Sequence, residues 1–203
     1  MRTVHPIEQE SYAILRALLS ARHPQADGWP PLGRAVLERV VHASADPDYA
    51  ADLAVPDEGV LAEAVAALAA GVPLVADVAM VAAGITGRRA LCRITDPDAA
   101  RLASAEGITR SAAALRLAAE EAGPGALYVV GCAPTALFEL IARAGQYRPL
   151  LVVGLPVGFV GAAESKAALR AAGLPSISNT GGKGGSAVAA AAVNALLYCG
   201  VGR

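Results

Sequence analysis

The spacing of apolar residues changes once along the chain, near residue 50. Before that point it has the period of an α-helix and predicts two helices, over Ile7–Ala21 and Leu32–Ser44. The glycine- and proline-containing segment Gln25–Pro31 is predicted to be the loop between them. Three apolar residues of the first helix share one face, at Ile7, Ile14 and Leu18. Ser11 falls on that same face as its one polar member.

From Pro56 onward, short apolar runs alternate with helical patterns. Strands are predicted over Val72–Ala76, Arg89–Ile94, Leu127–Val130, Leu150–Val153 and Ser176–Ser178. Helices are predicted over Asp57–Ala70, Asp77–Ala83, Ala99–Glu106, Arg110–Ala122, Thr135–Ala144, Ala162–Ala172 and Gly185–Tyr198. The spacing of the last three strands matches a strand followed by a crossover helix. We therefore predict one α/β domain over residues 1–203, with a mostly parallel sheet flanked by helices and preceded by two N-terminal helices.

Composition narrows the possible partners. Aromatic residues make up 4% of the 203 residues and the net charge is −1, so a basic, aromatic-rich nucleic-acid surface is not expected. The three cysteines lie far apart, which argues against a disulfide framework or a zinc site and favours a cytoplasmic protein. The start of the chain, Met1–Pro6, is followed by no apolar signal segment, and no membrane partner is expected.

In an open parallel sheet, ligands bind beyond the carboxyl ends of the strands. The glycine-rich run Gly154–Gly161 lies at such an end, but its glycines have the wrong spacing for a dinucleotide fingerprint. It is either a tight strand-to-helix turn or a loop that approaches a large flat ligand. Lys166, in the helix that follows, either binds a ligand carboxylate or is solvated.

Two other segments carry candidate chemistry. Arg39 and His42 share a helix face, and His42 falls in the last turn, where the helix dipole favours a charged imidazole. His42 is thus either a general acid or a capping residue. In the segment Thr109–Ser111, Thr109 or Ser111 could cap the following helix, whereas Arg110 could hold a substrate carboxylate.

The order of several motifs resembles the precorrin-8X (cobalt-precorrin-8) methylmutase family over nearly the whole chain. The matching blocks are Ile7–Arg16, Glu38–His42, Gly71–Thr86, Thr109–Leu115, Ala133–Phe138, Gly154–Lys166 and Gly184–Leu196. The blocks VGFVGAAESK and TRSAAAL are the most specific. Cys132, Ala79 and the segment 178–183 depart from the pattern that the family usually carries.

The resemblance implies an isomerase of cobalamin biosynthesis that works as a homodimer on a tetrapyrrole. The methyl group at C11 of the macrocycle moves to C12, which gives hydrogenobyrinic acid or cobyrinic acid, with no cofactor and no protein-bound metal. It implies that His42 is the catalytic acid or base and that Ser11 and Arg39 contact the substrate. Further candidate substrate contacts are Arg110, Ser111, Thr135, Lys166 and Lys183. The alternatives are a nucleotide-dependent Rossmann-type enzyme and a corrinoid carrier without turnover.

Overall fold

The computed structural model describes residues 5–200, in which helices and strands alternate. The helices are α1 (Pro6–Arg22), α2 (Pro31–Ser44), α3 (Tyr49–Asp52), α4 (Glu58–Ala69), α5 (Ala79–Gly84), α6 (Pro97–Glu106), α7 (Arg110–Ala122), α8 (Pro134–Ala142), α9 (Ala144–Tyr147), α10 (Ala162–Ala171) and α11 (Ser186–Gly200). The strands are β1 (Leu53–Ala54), β2 (Leu74–Ala76), β3 (Leu127–Val130), β4 (Leu151–Gly154) and β5 (Ser176–Asn179). A short 3₁₀ helix, Pro24–Gly28, joins α1 to α2.

Local sequence explains where the two N-terminal helices begin and end. Pro6 and Pro31 open α1 and α2, at positions where a helix has no use for the missing N–H group. Helix α2 ends at Ser44, because the next residue, Ala45, has a φ of 53° in the left-handed region, and Pro47 follows two residues later. His42 therefore lies in the last turn of α2, as predicted.

The strands form one mixed sheet in the order β1-β5-β4-β3-β2. Strands β2, β3, β4 and β5 run parallel, and only the two-residue β1 pairs antiparallel, with β5. In the parallel register, Tyr128 lies opposite Val75 on one side and Val152 on the other. The prediction of a mostly parallel sheet is confirmed.

Helices cover both faces of this sheet. Leu127 and Val129 of β3 pack in a cluster with residues of α1, α2, α4 and α11. Tyr128 and Val130 point to the opposite side and pack with residues of α7, α8 and α10. This alternation of neighbouring residues between two apolar layers is what a sheet buried on both faces requires.

Two edges of the sheet differ from the prediction. The predicted strand Arg89–Ile94 is wrong, because only Leu91 forms a bridge, to Val75. Beyond Leu91 the chain enters a turn in which the Asp96 amide donates to the Arg93 carbonyl at 3.0 Å, just before α6 begins. At the other edge, β1 is too short to give a recognisable period in the sequence.

The face of α1 that carries Ser11 is turned outward. Ile7, Ile14 and Leu18 are 70%, 56% and 45% exposed, whereas Leu15 and Leu19 of the same helix are buried. Within residues 5–200, no helix is both long and apolar enough to cross a membrane.

Candidate active site

A cleft of about 670 Å³ lies between the N-terminal helices and α11. Alanines of α11 form an apolar wall, and polar side chains of α1 and α2 face it. The lining residues are His5, Ile7, Glu8, Ser11, Arg39, His42, Ala43, Gly84, Ala187, Ala190, Ala191, Asn194 and Tyr198. Three residues predicted from the sequence, Ser11, Arg39 and His42, thus meet in one place.

His42 is held by two consecutive residues of α1. Its Nδ1 lies 3.2 Å from Oγ of Ser11, within hydrogen-bonding distance. Its ring stacks on that of Tyr12, with 4.8 Å between centroids and 23° between planes. The hydrogen bond engages Nδ1, which leaves Nε2 as the nitrogen that can serve a ligand in the cleft.

Arg39 connects α1, α2 and α11. Its Nη1 donates to the hydroxyl of Tyr12 at 2.9 Å and pairs with Glu8 at 3.2 Å. The guanidinium carbon also lies 4.6 Å from the ring centroid of Tyr198, in the range of a cation–π contact. The side chain is 16% exposed, so Arg39 belongs both to the wall of the cleft and to the packing behind it.

The wall opposite α1 depends on the close approach of α5 and α11. A Cβ at Gly84 would lie 2.7 Å from Cβ of Ala190, so only glycine lets these helices pack at this distance. Asn194 fixes the junction, because its Nδ2 donates to the Gly84 carbonyl at 2.8 Å and its Oδ1 accepts from the Thr86 amide at 2.9 Å. Thr86 and Tyr198 are joined by a 2.6 Å hydroxyl pair.

A second group of predicted site residues lies outside this cleft, at the start of α7 and α8. Thr109 caps α7 by accepting a hydrogen bond from the Ala112 amide at 3.2 Å. The Thr109 hydroxyl also lies 2.7 Å from that of Thr135, which brings Arg110, Ser111 and Thr135 near one another. Arg110 and Thr135 are exposed. Their role as substrate contacts stays a prediction.

Lys166 and Lys183, which were predicted to contact the substrate, hold the loop that precedes α11. Lys166 is fully buried, and its amine donates to Oδ1 of Asn179 at 2.8 Å and to the carbonyl of Lys183 at 2.5 Å. Burial lowers the pKa of Lys166 to about 8. The amine of Lys183 pairs with Asp46 at 2.9 Å, just beyond α2. Neither lysine lines the cleft, and their role in substrate binding also stays a prediction.

The comparison with known proteins shows which family this chain belongs to. A family model described as precorrin-8X methylmutase matches residues 6–199. The chain belongs to the precorrin-8X methylmutase family. A methylmutase is an isomerase, because it moves a methyl group within one molecule.

Individual members of the methylmutase family match over almost their full length. The cobalt-precorrin-8 methylmutase of Salmonella typhimurium is 40% identical, over 95% of this chain and 93% of that protein. The precorrin-8X methylmutase of Pseudomonas aeruginosa is 41% identical, over 97% and 96%. A solved structure of the precorrin-8X methylmutase from Thermus thermophilus superposes with a TM-score of 0.81, at 33% identity over 97% of this chain and 98% of that one.

The sequence patterns missed Tyr198, which lines the cleft, and Tyr12, which lies outside the lining and stacks on His42. A usable signal was present, since the chain has only five tyrosines and Tyr12 directly follows Ser11. Among the residues that the structure describes, no group of three or more histidine, cysteine, aspartate or glutamate side chains could hold a metal ion. Cys92 and Cys132 are free thiols.

Proposed function

We propose that this chain catalyses the methyl shift that gives its family its name, on precorrin-8X or its cobalt-containing form. The bond between the methyl group and C11 breaks as a bond to C12 forms, and the product is an isomer of the substrate. The reaction consumes no oxidant, reductant or second substrate. The enzyme therefore has to bind the macrocycle, orient it and move a proton.

The observation that carries the proposal is the Ser11–His42 pair at the edge of the cleft. A charged His42 donates a hydrogen bond from Nδ1 to Ser11 and can deliver its Nε2 proton to the macrocycle. Protonation of the macrocycle then draws electron density toward C12. The neutral ring that results keeps its Nδ1 proton and its hydrogen bond. Its bare Nε2 can then take a proton back after the methyl has moved. One side chain thus supplies both proton transfers.

The rest of the cleft suits a flat, carboxylate-bearing ligand. Ala187, Ala190 and Ala191 of α11 offer a wall of small apolar side chains against which a planar ring can lie. Arg39 lies on the same helix face as His42. Its hydrogen bonds to Glu8 and Tyr12 both use Nη1, so the other nitrogens of the guanidinium can pair with one carboxylate arm of the ligand.

We further propose that the chain works as a homodimer in the cytoplasm. Apolar side chains left exposed on α1 support an association between copies, at Ile7, Ile14 and Leu18. Its free thiols at Cys92 and Cys132 suit a reducing compartment. Sedimentation equilibrium of the purified protein should give twice the mass of one chain.

The test is conversion of precorrin-8X and, separately, of its cobalt form by dialysed protein, with no added nucleotide, S-adenosylmethionine or metal. Relatives of both names are about equally similar, so both substrates belong in the assay. His42→Ala should bind the coloured product yet lose about 10²–10⁴-fold in single-turnover rate, the usual value of general acid–base catalysis.

The matched control is His23→Ala, because His23 pairs with Asp48 outside the cleft. His42→Gln should not restore the rate, since an amide supplies no proton near neutral pH. A His42→Ala protein that rearranges substrate at the parent rate would remove this mechanism. Activity that returned only on addition of a cofactor would contradict an unassisted rearrangement.

A further inference from the structure

Tyr12 contacts the ring of His42, and the family resemblance gives Tyr12 no role. It does not line the cleft, but its ring stacks on the imidazole at 4.8 Å between centroids. Burial raises the pKa of Tyr12 above its usual value, so the phenol is neutral at physiological pH. It therefore acts on His42 through its ring, not as a base.

The far end of Tyr12 is fixed by other side chains. Arg39 donates to the phenol oxygen at 2.9 Å and is itself paired with Glu8, one helical turn before Tyr12 on α1. The guanidinium of Arg16 lies 5.5 Å from the ring centroid of Tyr12. The ring is thus held at its hydroxyl end by α2 and along its length by its own helix.

A hydrogen bond alone cannot orient an imidazole. The contact between Ser11 and Nδ1 of His42 fixes one atom of the ring, but the ring could still turn about that contact. A stacked aromatic ring opposes this rotation, because turning the imidazole would break the face-to-face contact. The two restraints together set the direction of Nε2.

We propose that Tyr12 is a positioning residue, which holds the His42 ring by stacking so that Nε2 faces the bound macrocycle. This inference rests on the proposed function. It assigns the effect to the aromatic ring, since the phenol oxygen is occupied by Arg39 and the ring is what contacts His42. A misplacement of about 1 Å in a reacting group can cost on the order of 100-fold in rate.

The test compares Tyr12→Phe, which keeps the ring, with Tyr12→Leu, which removes it. Single-turnover rates and affinities for the corrinoid product are measured for both. We expect Tyr12→Phe to stay within about threefold of the parent rate and Tyr12→Leu to lose about 10–100-fold, with product affinity unchanged. The control is Tyr147→Leu, because Tyr147 is a buried tyrosine of the α7–α8 layer, outside the cleft lining.

A spectroscopic measurement makes the test independent of folding of the leucine variant. The carbon-bound ring protons of His42 should resonate upfield of unstructured histidine in the parent and in Tyr12→Phe, because they lie over an aromatic ring. Absence of that shift in the parent would overturn the inference, as would a Tyr12→Leu rate equal to the parent rate. Equal losses in both variants would assign the effect to the hydroxyl, and a parallel loss of affinity would make Tyr12 a ligand contact; both contradict positioning.

The proposed function and the role of Tyr12 are refuted by different results. The proposed function fails if the parent protein converts neither substrate. If the parent converts substrate, His42→Ala does not and Tyr12→Leu does, the function stands and only the role of Tyr12 is lost.

Discussion

Replacement of Ser11 by alanine separates the two roles that a serine in this cleft could have. Ser11→Ala removes the oxygen that lies 3.2 Å from Nδ1 of His42 and leaves the helix backbone unchanged. A hydrogen bond to a charged group contributes about 1.5–3 kcal/mol, and this one is long and half-exposed, so we take about 1–2 kcal/mol. If that energy is lost in the transition state, the rate falls about 5–30-fold.

The assay is single-turnover conversion followed by absorbance, beside titration with the product. If Ser11 orients His42, the rate should fall while product affinity stays the same, and Ser11→Thr, which keeps a hydroxyl, should recover most of the rate. If Ser11 instead binds a carboxylate arm, affinity should weaken and the rate at saturation should stay at the parent value. An unchanged rate in Ser11→Ala would refute the orienting role.

Two further substitutions test one residue of the cleft wall and one buried lysine outside the cleft. Arg39→Ala should weaken product binding by about 1.5–3 kcal/mol, measured by titration, whereas Arg22→Ala should not, because Arg22 pairs with Asp48 outside the cleft lining. Unchanged affinity in Arg39→Ala would confine Arg39 to its contacts with Glu8 and Tyr12. Lys166 has a folded pKa of about 8, below the value of about 10.4 in an unfolded chain, so its burial penalises folding while it is protonated. As pH rises from about 8 to about 10, the unfolding free energy of the parent should gain about 2 kcal/mol relative to Lys166→Met, in denaturant titrations at each pH. A constant difference would show that Lys166 titrates normally.

The sequence was most informative where a pattern repeats. The crossover spacing of the last three strands predicted the parallel sheet, and the helical period predicted both N-terminal helices. It was least informative at the sheet edges. The strand predicted at Arg89–Ile94 shrinks to one bridging residue, since the backbone turns between Arg93 and Asp96. No local pattern could reveal the two residues of β1.

Residue spacing along α2 placed Arg39 and His42 on one face, but it could not supply their partners. The contacts with Ser11 and Tyr12 join residues about thirty positions apart, so they depend on how α1 packs on α2. Ile7, Ile14 and Leu18 illustrate the limit, since a shared apolar face does not tell whether that face turns toward the core or away from it. The family resemblance supplied His42 as the acid, but not Tyr12 behind it.

The cleft lining includes no residue of the glycine-rich loops that follow β4 and β5, although a general rule for parallel sheets places ligands at that edge. Part of that edge is occupied by the protein itself. The buried carboxylate of Asp77 accepts the amides of Gly131, Cys132 and Ala133 at 3.2, 2.9 and 2.8 Å, as an anionic ligand would.

The neighbouring glycine loops bind each other in the same way. The Gly158 amide donates to the Gly182 carbonyl at 3.1 Å, and the Gly185 amide donates to the Leu155 carbonyl at 2.8 Å. A Cβ at Gly182 would lie 2.7 Å from the Gly158 carbonyl oxygen, so these glycines serve close packing between two backbones. Several amides at this edge that could have held a phosphate or carboxylate are thus already bonded, whereas the polar groups of the cleft come from side chains of α1, α2 and α11. The motif Arg39–His42, rather than a glycine loop, therefore carries our prediction of the site in this sequence.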